Sequence, residues 1–140
     1  MDCPDIILVD NQNDSSDLMA DALTVKGYAV ERAASLDAAM RMIRRCPPRL
    51  VIGSISISGE NFLAFCRALK KEPDLPGIPV LVILPEQARY EPGYGESYGI
   101  VDALVKPVDL SVLVQKARRW VEPPKEPSEG RETGATALPP

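Results

Sequence analysis

The sequence predicts an α/β domain in which five parallel strands are covered by helices on both faces. Two observations carry this expectation. The apolar runs Ile6-Ile7-Leu8-Val9, Leu50-Val51-Ile52-Gly53 and Val80-Leu81-Val82-Ile83-Leu84 are continuous rather than alternating, as strands buried on both faces are. Segments with apolar residues at helical spacing lie between them, so strand and helix alternate as βα repeats do.

Taken in order, Ile6–Val9 is the first strand, ending in Asp10-Asn11. Asn13 or Asp14 then caps a helix carrying Leu18, Met19, Ala22, Leu23 and Val25. Lys26-Gly27 ends it, with Gly27 as the left-handed residue. Tyr28–Ala33 alternates and reads as a half-exposed second strand. Ser35 caps a second helix with the face Leu36, Ala39, Met40 and Ile43, stopped by Pro47-Pro48. The third strand is Leu50–Ser54, and Ser58-Gly59-Glu60-Asn61 turns into a third helix bearing Phe62, Leu63, Phe65, Cys66 and Leu69. Pro73, Pro76 and Pro79 lead in extended form to the fourth strand, Val80–Leu84. The fifth is about Ala103–Val105, and Asp109 caps a last helix with Leu110, Leu113, Val114 and Ala117 on one face and Trp120 near its end. Short turns and right-handed crossovers then give a doubly wound, flavodoxin-like sheet of order 2-1-3-4-5.

Pro85–Gly99 departs from this alternation. A fourth crossover helix belongs there, but the stretch holds Pro85, Pro92, Gly93, Gly95 and Gly99. Proline costs about 3 kcal/mol inside a helix and glycine about 1 kcal/mol, so a full helix is not expected. Tyr90, Tyr94 and Tyr98 cluster here as a candidate partner surface. Residues 122–140 hold five prolines, four glutamates and no aromatic residue, and are expected to be a disordered tail or linker after a domain spanning 1–121.

Bulk composition narrows the function. A net charge of −4 over 140 residues argues against nucleic-acid binding by charge. No apolar stretch approaches the roughly 20 residues a bilayer requires. The absence of histidine excludes histidine triads, histidine metal sites and a phosphohistidine relay. The three widely spaced cysteines, Cys3, Cys46 and Cys66, suggest reduced thiols in a cytoplasmic protein.

The strand ends carry the chemistry, because a parallel sheet binds ligands at its carboxyl edge. Asp10-Asn11, Ser54, Leu84 and Lys106-Pro107 all map there. This series resembles the receiver domain of bacterial two-component response regulators, the CheY-like fold, over residues 5–121. The resemblance implies an acidic pair after the first strand, a phosphorylated Asp ending the third, a hydroxyl ending the fourth and a Lys-Pro after the fifth. Lys106-Pro107 matches; Asn11, Ser54 and Leu84 depart from the pattern, and the aromatic switch position holds Ala103. Magnesium requires charged oxygen ligands, and a neutral serine with no histidine base is a poor nucleophile. An ion pair between Lys106 and Asp10 is expected to replace the metal. Gly53, next to Ser54, has no evident sequence-level reason beyond leaving room for a bulkier neighbour.

These residues predict a degenerate receiver, or pseudo-receiver, that is not an enzyme. It is expected to serve phosphorelay signalling through contact with a signalling protein, without aspartyl phosphorylation. No cofactor is expected beyond weak Mg²⁺ binding, and no nucleic-acid or membrane partner. The resemblance also implies a weak homodimer through the face formed by the fourth crossover, the fifth strand and the last helix. The rival readings are a receiver with nonstandard phosphoryl acceptance and a flavodoxin-like domain for a small ligand. Against the latter, Asp10-Asn11-Gln12-Asn13-Asp14-Ser15 holds no glycine to cradle a phosphate.

Overall fold

The structure, a computed structural model, describes residues 3–10, 14–55, 61–89, 93 and 95–121. Its strands are β1 (Ile6–Val9), β2 (Val30–Ala33), β3 (Leu50–Ser54), β4 (Val80–Leu84) and β5 (Ile100–Val105). Its helices are α1 (Asp14–Val25), α2 (Leu36–Arg45), α3 (Phe62–Lys71) and α4 (Leu110–Val121). All strand pairings are parallel and the order is β2-β1-β3-β4-β5, as expected.

Local signals place most boundaries. Gly27 takes φ +100° after α1, where a side chain would be strained. Ser35 Oγ accepts from the Ala38 N–H and starts α2. Asn61 Oδ1 accepts from the Ala64 N–H and starts α3. Asp109 Oδ1 accepts from the Ser111 and Val112 amides and starts α4. β2 is two residues shorter than the alternation suggests, and β5 begins three residues earlier. Each β5 residue from Asp102 to Val105 has a parallel partner in β4, after an irregularity at Val80/Leu81.

The core is two clusters, one on each face of the sheet. Ile7, Val9, Val51, Val80 and Val82 pack against α2 and α3. Ile6, Leu8, Ile52, Leu81 and Ile83 pack against α1 and α4. Not every residue of the expected helix faces is inside: on α1, Leu18 is 58% exposed and Val25 81%. These residues border an open groove between α1 and α4 instead. On the sheet face of α4, Lys116 pairs with Asp102 of β5 at 2.8 Å.

Between β4 and β5 the described residues form turns rather than an α-helix. Ala88 N–H donates to Pro85 O, and a short 3-10 turn spans Glu96–Tyr98. Gly95 is buried there, and a Cβ on it would lie 2.5 Å from Ile100 Cβ, so only glycine lets this segment close over β5. Tyr98 is half-buried, with the Arg67 guanidinium over its ring at 5.2 Å and Arg67 Nη2 donating to its hydroxyl. Tyr90, Tyr94 and residues 122–140 lie outside the described residues.

The expectation of three reduced thiols is corrected. Cys3 and Cys46 are joined by a disulfide, and Cys66 alone is free. The reason is tertiary. β1 and β3 are adjacent and parallel, with Ile6 opposite Leu50. Cys3 precedes Ile6 by three residues and Cys46 precedes Leu50 by four, so both reach the same edge of the sheet.

Cys66 is buried, and burial pushes its thiol up to about 12 from 9.0. The folded domain therefore keeps a proton that the unfolded chain releases above pH 9.0. This contribution to stability is complete below that pH and is lost as pH rises toward 12. Cys66→Ala should lower stability overall by opening a cavity, yet flatten its fall across that alkaline window. Urea midpoints measured over the window test this, and an equally steep fall in the variant would refute it.

Candidate functional site

Four strand ends meet at the carboxyl edge of the sheet. Asp10 directly follows β1 and is only 6% exposed, its N–H donating to Ala33 O of β2. Ser54 ends β3, half-buried and opposite Ile83. Leu84 ends β4, buried, and its carbonyl accepts from the Lys106 N–H at 3.0 Å. Ala103 is buried in β5, in the same cluster as Leu84. The Lys106–Pro107 peptide is cis. Asn11 lies outside the described residues, as does Ser58.

The expected Lys106–Asp10 bridge is not the one that forms. Lys106 is exposed and lines a cleft of about 470 Å³ with Glu86, Pro107 and Met19. Asp10 pairs instead with Arg32 of β2, Nη2 to Oδ1 at 3.7 Å. The Arg32 guanidinium also donates to Asp17 and to the buried Ser16 Oγ, both on α1. Asp17 is thus an ion-pair partner of Arg32. The hydrogen bond to Asp17 contributes most to holding Arg32 above its ordinary value; burial opposes this, and the Asp10 charge assists.

Sequence reading passed over Arg32 because an arginine on a half-exposed strand is unremarkable alone. The available signal was register. β2 runs beside β1, with Ala33 opposite Val9, so a long cation one residue earlier is within reach of the carboxylate that follows β1.

Gly53 also gains a reason. A Cβ there would lie 2.5 Å from Phe62 Cε1 and 2.8 Å from Cζ. Phe62 is the first residue of α3 and fully buried against Phe65. Glycine therefore lets α3 close over the end of β3, directly beside Ser54.

A resident divalent cation would need a group of donors that the described residues do not bring together. Such an ion wants several charged oxygens. Among the described residues no group of three or more acidic or sulfur ligands could hold a metal. The one carboxylate that follows β1 already faces a guanidinium.

Comparison with known proteins fits this geometry. Residues 6–118 match the family described as response regulator receiver domain. The chain belongs to that family. It is 29% identical over 113 residues to the response regulator PleD of Caulobacter vibrioides, covering 81% of this chain and 25% of PleD. It is 26% identical over 110 residues to the protein PilH of Pseudomonas aeruginosa, covering 79% of this chain and 91% of PilH. The receiver domain of NtrX from Brucella abortus superposes with a TM-score of 0.69 at 30% identity, over 84% of this chain and 98% of that one. This receiver thus spans only a quarter of PleD. No helix among its described residues is long and apolar enough to cross a membrane.

Proposed function

We propose that this receiver signals by protein contact without aspartyl phosphorylation, as a cytoplasmic pseudo-receiver. The observation that carries the reading is the Arg32–Asp10 pair beside a strand end that bears serine. A working receiver gathers negative charge and offsets it with a divalent cation. Here a built-in guanidinium supplies the positive charge, and Ser54 offers a neutral hydroxyl. The site is balanced without metal, and no carboxylate ends β3 to accept a phosphoryl group. Leu84 cannot donate a hydrogen bond to such a group, and Ala103 has no ring to reorient.

Function then resides in shape. The remodelled segment between β4 and β5, with Tyr98 held by Arg67, lies beside β5 and offers a contact face for a signalling protein or, weakly, a second copy. Tyrosine and arginine are among the residue types that contribute most at such faces.

The test is incubation with acetyl phosphate and Mg²⁺, read by intact mass. No adduct is expected, nor any beryllofluoride response. Ser54→Asp alone should restore little. Ser54→Asp with Asn11→Asp should recover metal binding before it recovers switching. A stoichiometric phosphoryl adduct on the unaltered chain, or full activation by the single change, would overturn the reading.

A further inference from the structure

The Cys3–Cys46 bond lies at the opposite end of the sheet from the site, and it closes a separation of 43 residues with Cα atoms 5.1 Å apart. Cys3 is exposed; Cys46 is half-buried as the C-cap of α2, its N–H donating to Met42 O. Neither belongs to the two core clusters.

What the bond holds is a corner. Two residues after Cys3, Asp5 joins three segments. Its N–H donates to Ala29 O and its carboxylate accepts from the Ala29 N–H, each at 2.8 Å. Its carbonyl accepts from the Arg49 and Leu50 amides at 2.9 and 3.1 Å. Arg49 Nη1 in turn donates to Val121 O, the last residue of α4, at 3.0 Å. The N-terminal segment, the α2–β3 turn and the end of α4 are therefore linked.

We infer that Cys3 and Cys46 are a thiol–disulfide switch, with a low-molecular-weight disulfide such as oxidised glutathione as oxidant and the Asp5–Arg49–Val121 corner as the part it tightens. This gives the domain a redox input. It goes beyond the reading of the strand-end site and does not depend on it.

The chemistry balances as two exchanges. The exposed Cys3 thiolate attacks one sulfur of the oxidant, forming a mixed disulfide and releasing one thiolate. The Cys46 thiolate attacks the Cys3 sulfur, closing the bond and releasing the second. The two protons lost by the cysteines end on the two released thiols, so the pair is oxidised by two electrons and the external disulfide reduced by two. An external thiol reverses this by attacking at exposed Cys3. Cys66 stays out, since it is buried and its thiol is held neutral. In a reducing compartment the pair rests as two thiols and closes under oxidant.

The experiment uses the full chain, equilibrated in glutathione buffers of graded ratio, quenched with acid, alkylated and read by intact mass. Cys3 and Cys46 should convert together and reversibly, with Cys66 unmodified. Closing the bond should raise the thermal midpoint by roughly 10 °C. It should also slow amide exchange at Arg49 and Leu50 by about tenfold, while the reduced chain keeps its native circular dichroism. Cys3→Ser, at an exposed position near the chain start, should fold, match the reduced chain and lose the redox dependence. The inference is overturned if excess oxidised glutathione fails to close the bond, or excess reduced glutathione fails to open it. It is equally overturned if exchange at Arg49 and Leu50 is the same in both states, which would leave a cross-link with no effect on the corner.

Discussion

Replacing Arg32 with methionine is expected to lower stability by about 3 kcal/mol, the low end for breaking a buried ion pair from one side. The low end applies because Arg32 is a quarter exposed, whereas the Asp10 side chain is 9% exposed. The loss arises at Asp10, whose carboxylate keeps its desolvation cost and loses its guanidinium. Asp17 adds little, being more than half exposed. Asp10→Asn should cost less, because Arg32 keeps Asp17 and Ser16 as acceptors. The double variant should lose clearly less than the two single losses combined, since the pair is removed as a unit. Lys106→Ala should stay within about 0.5 kcal/mol, as expected at an exposed position, and should add independently to Asp10→Asn. Urea midpoints for these five variants and the unaltered chain decide the matter. Coupling between Asp10 and Lys106, with none between Asp10 and Arg32, would mean the site is organised by the Lys-Pro turn after all. The metal consequence can be read on the same variants. Adding Arg32→Met to Ser54→Asp should strengthen Mg²⁺ binding beyond Ser54→Asp alone, because the competing cation is gone.

The fold was legible because its signals are local. Four-residue apolar runs, Gly27 after α1, Ser35 before α2 and Asp109 before α4 each act within a few residues, and the parallel order follows from their alternation. The proline and glycine content of Pro85–Gly99 likewise reported directly on the backbone. The strand-end position of Asp10, Ser54, Leu84 and Lys106 followed from the fold alone. What escaped was which side chains meet across elements. Arg32 differs from other strand arginines only by the register that sets it near Asp10. Cys3 and Cys46 differ from free thiols only by the adjacency of β1 and β3. Lys106 carried the right charge, yet its side chain faces a cleft shared with Glu86. Charge complementarity in sequence names candidates, and geometry chooses among them.

Gly53→Ala is expected to cost about 3 kcal/mol, although alanine is ordinarily a mild change in a strand. Its Cβ would sit 2.5 Å from a ring carbon of Phe62, well inside contact distance. The ring cannot step aside cheaply, since it is fully buried and stacked on Phe65 with centroids 5.7 Å apart. Relief would require the first turn of α3 to lift from the end of β3, which would also move the Asn61 cap. Phe62→Leu alone should cost about 1 kcal/mol through lost packing. Combined with Gly53→Ala it should recover part of the alanine penalty, because the shorter side chain vacates the volume the new methyl needs. A coupling of at least about 1 kcal/mol in that cycle, measured by urea unfolding, is the expected signature of direct contact. Strictly additive losses would place the cost in the β3 backbone instead. An unchanged midpoint for Gly53→Ala would mean that α3 does not close over β3 as described. The same variant bears on Ser54, since a lifted α3 would open the strand end to solvent and speed hydrogen exchange at Ile55, whose N–H donates to Ile83 O at 3.1 Å.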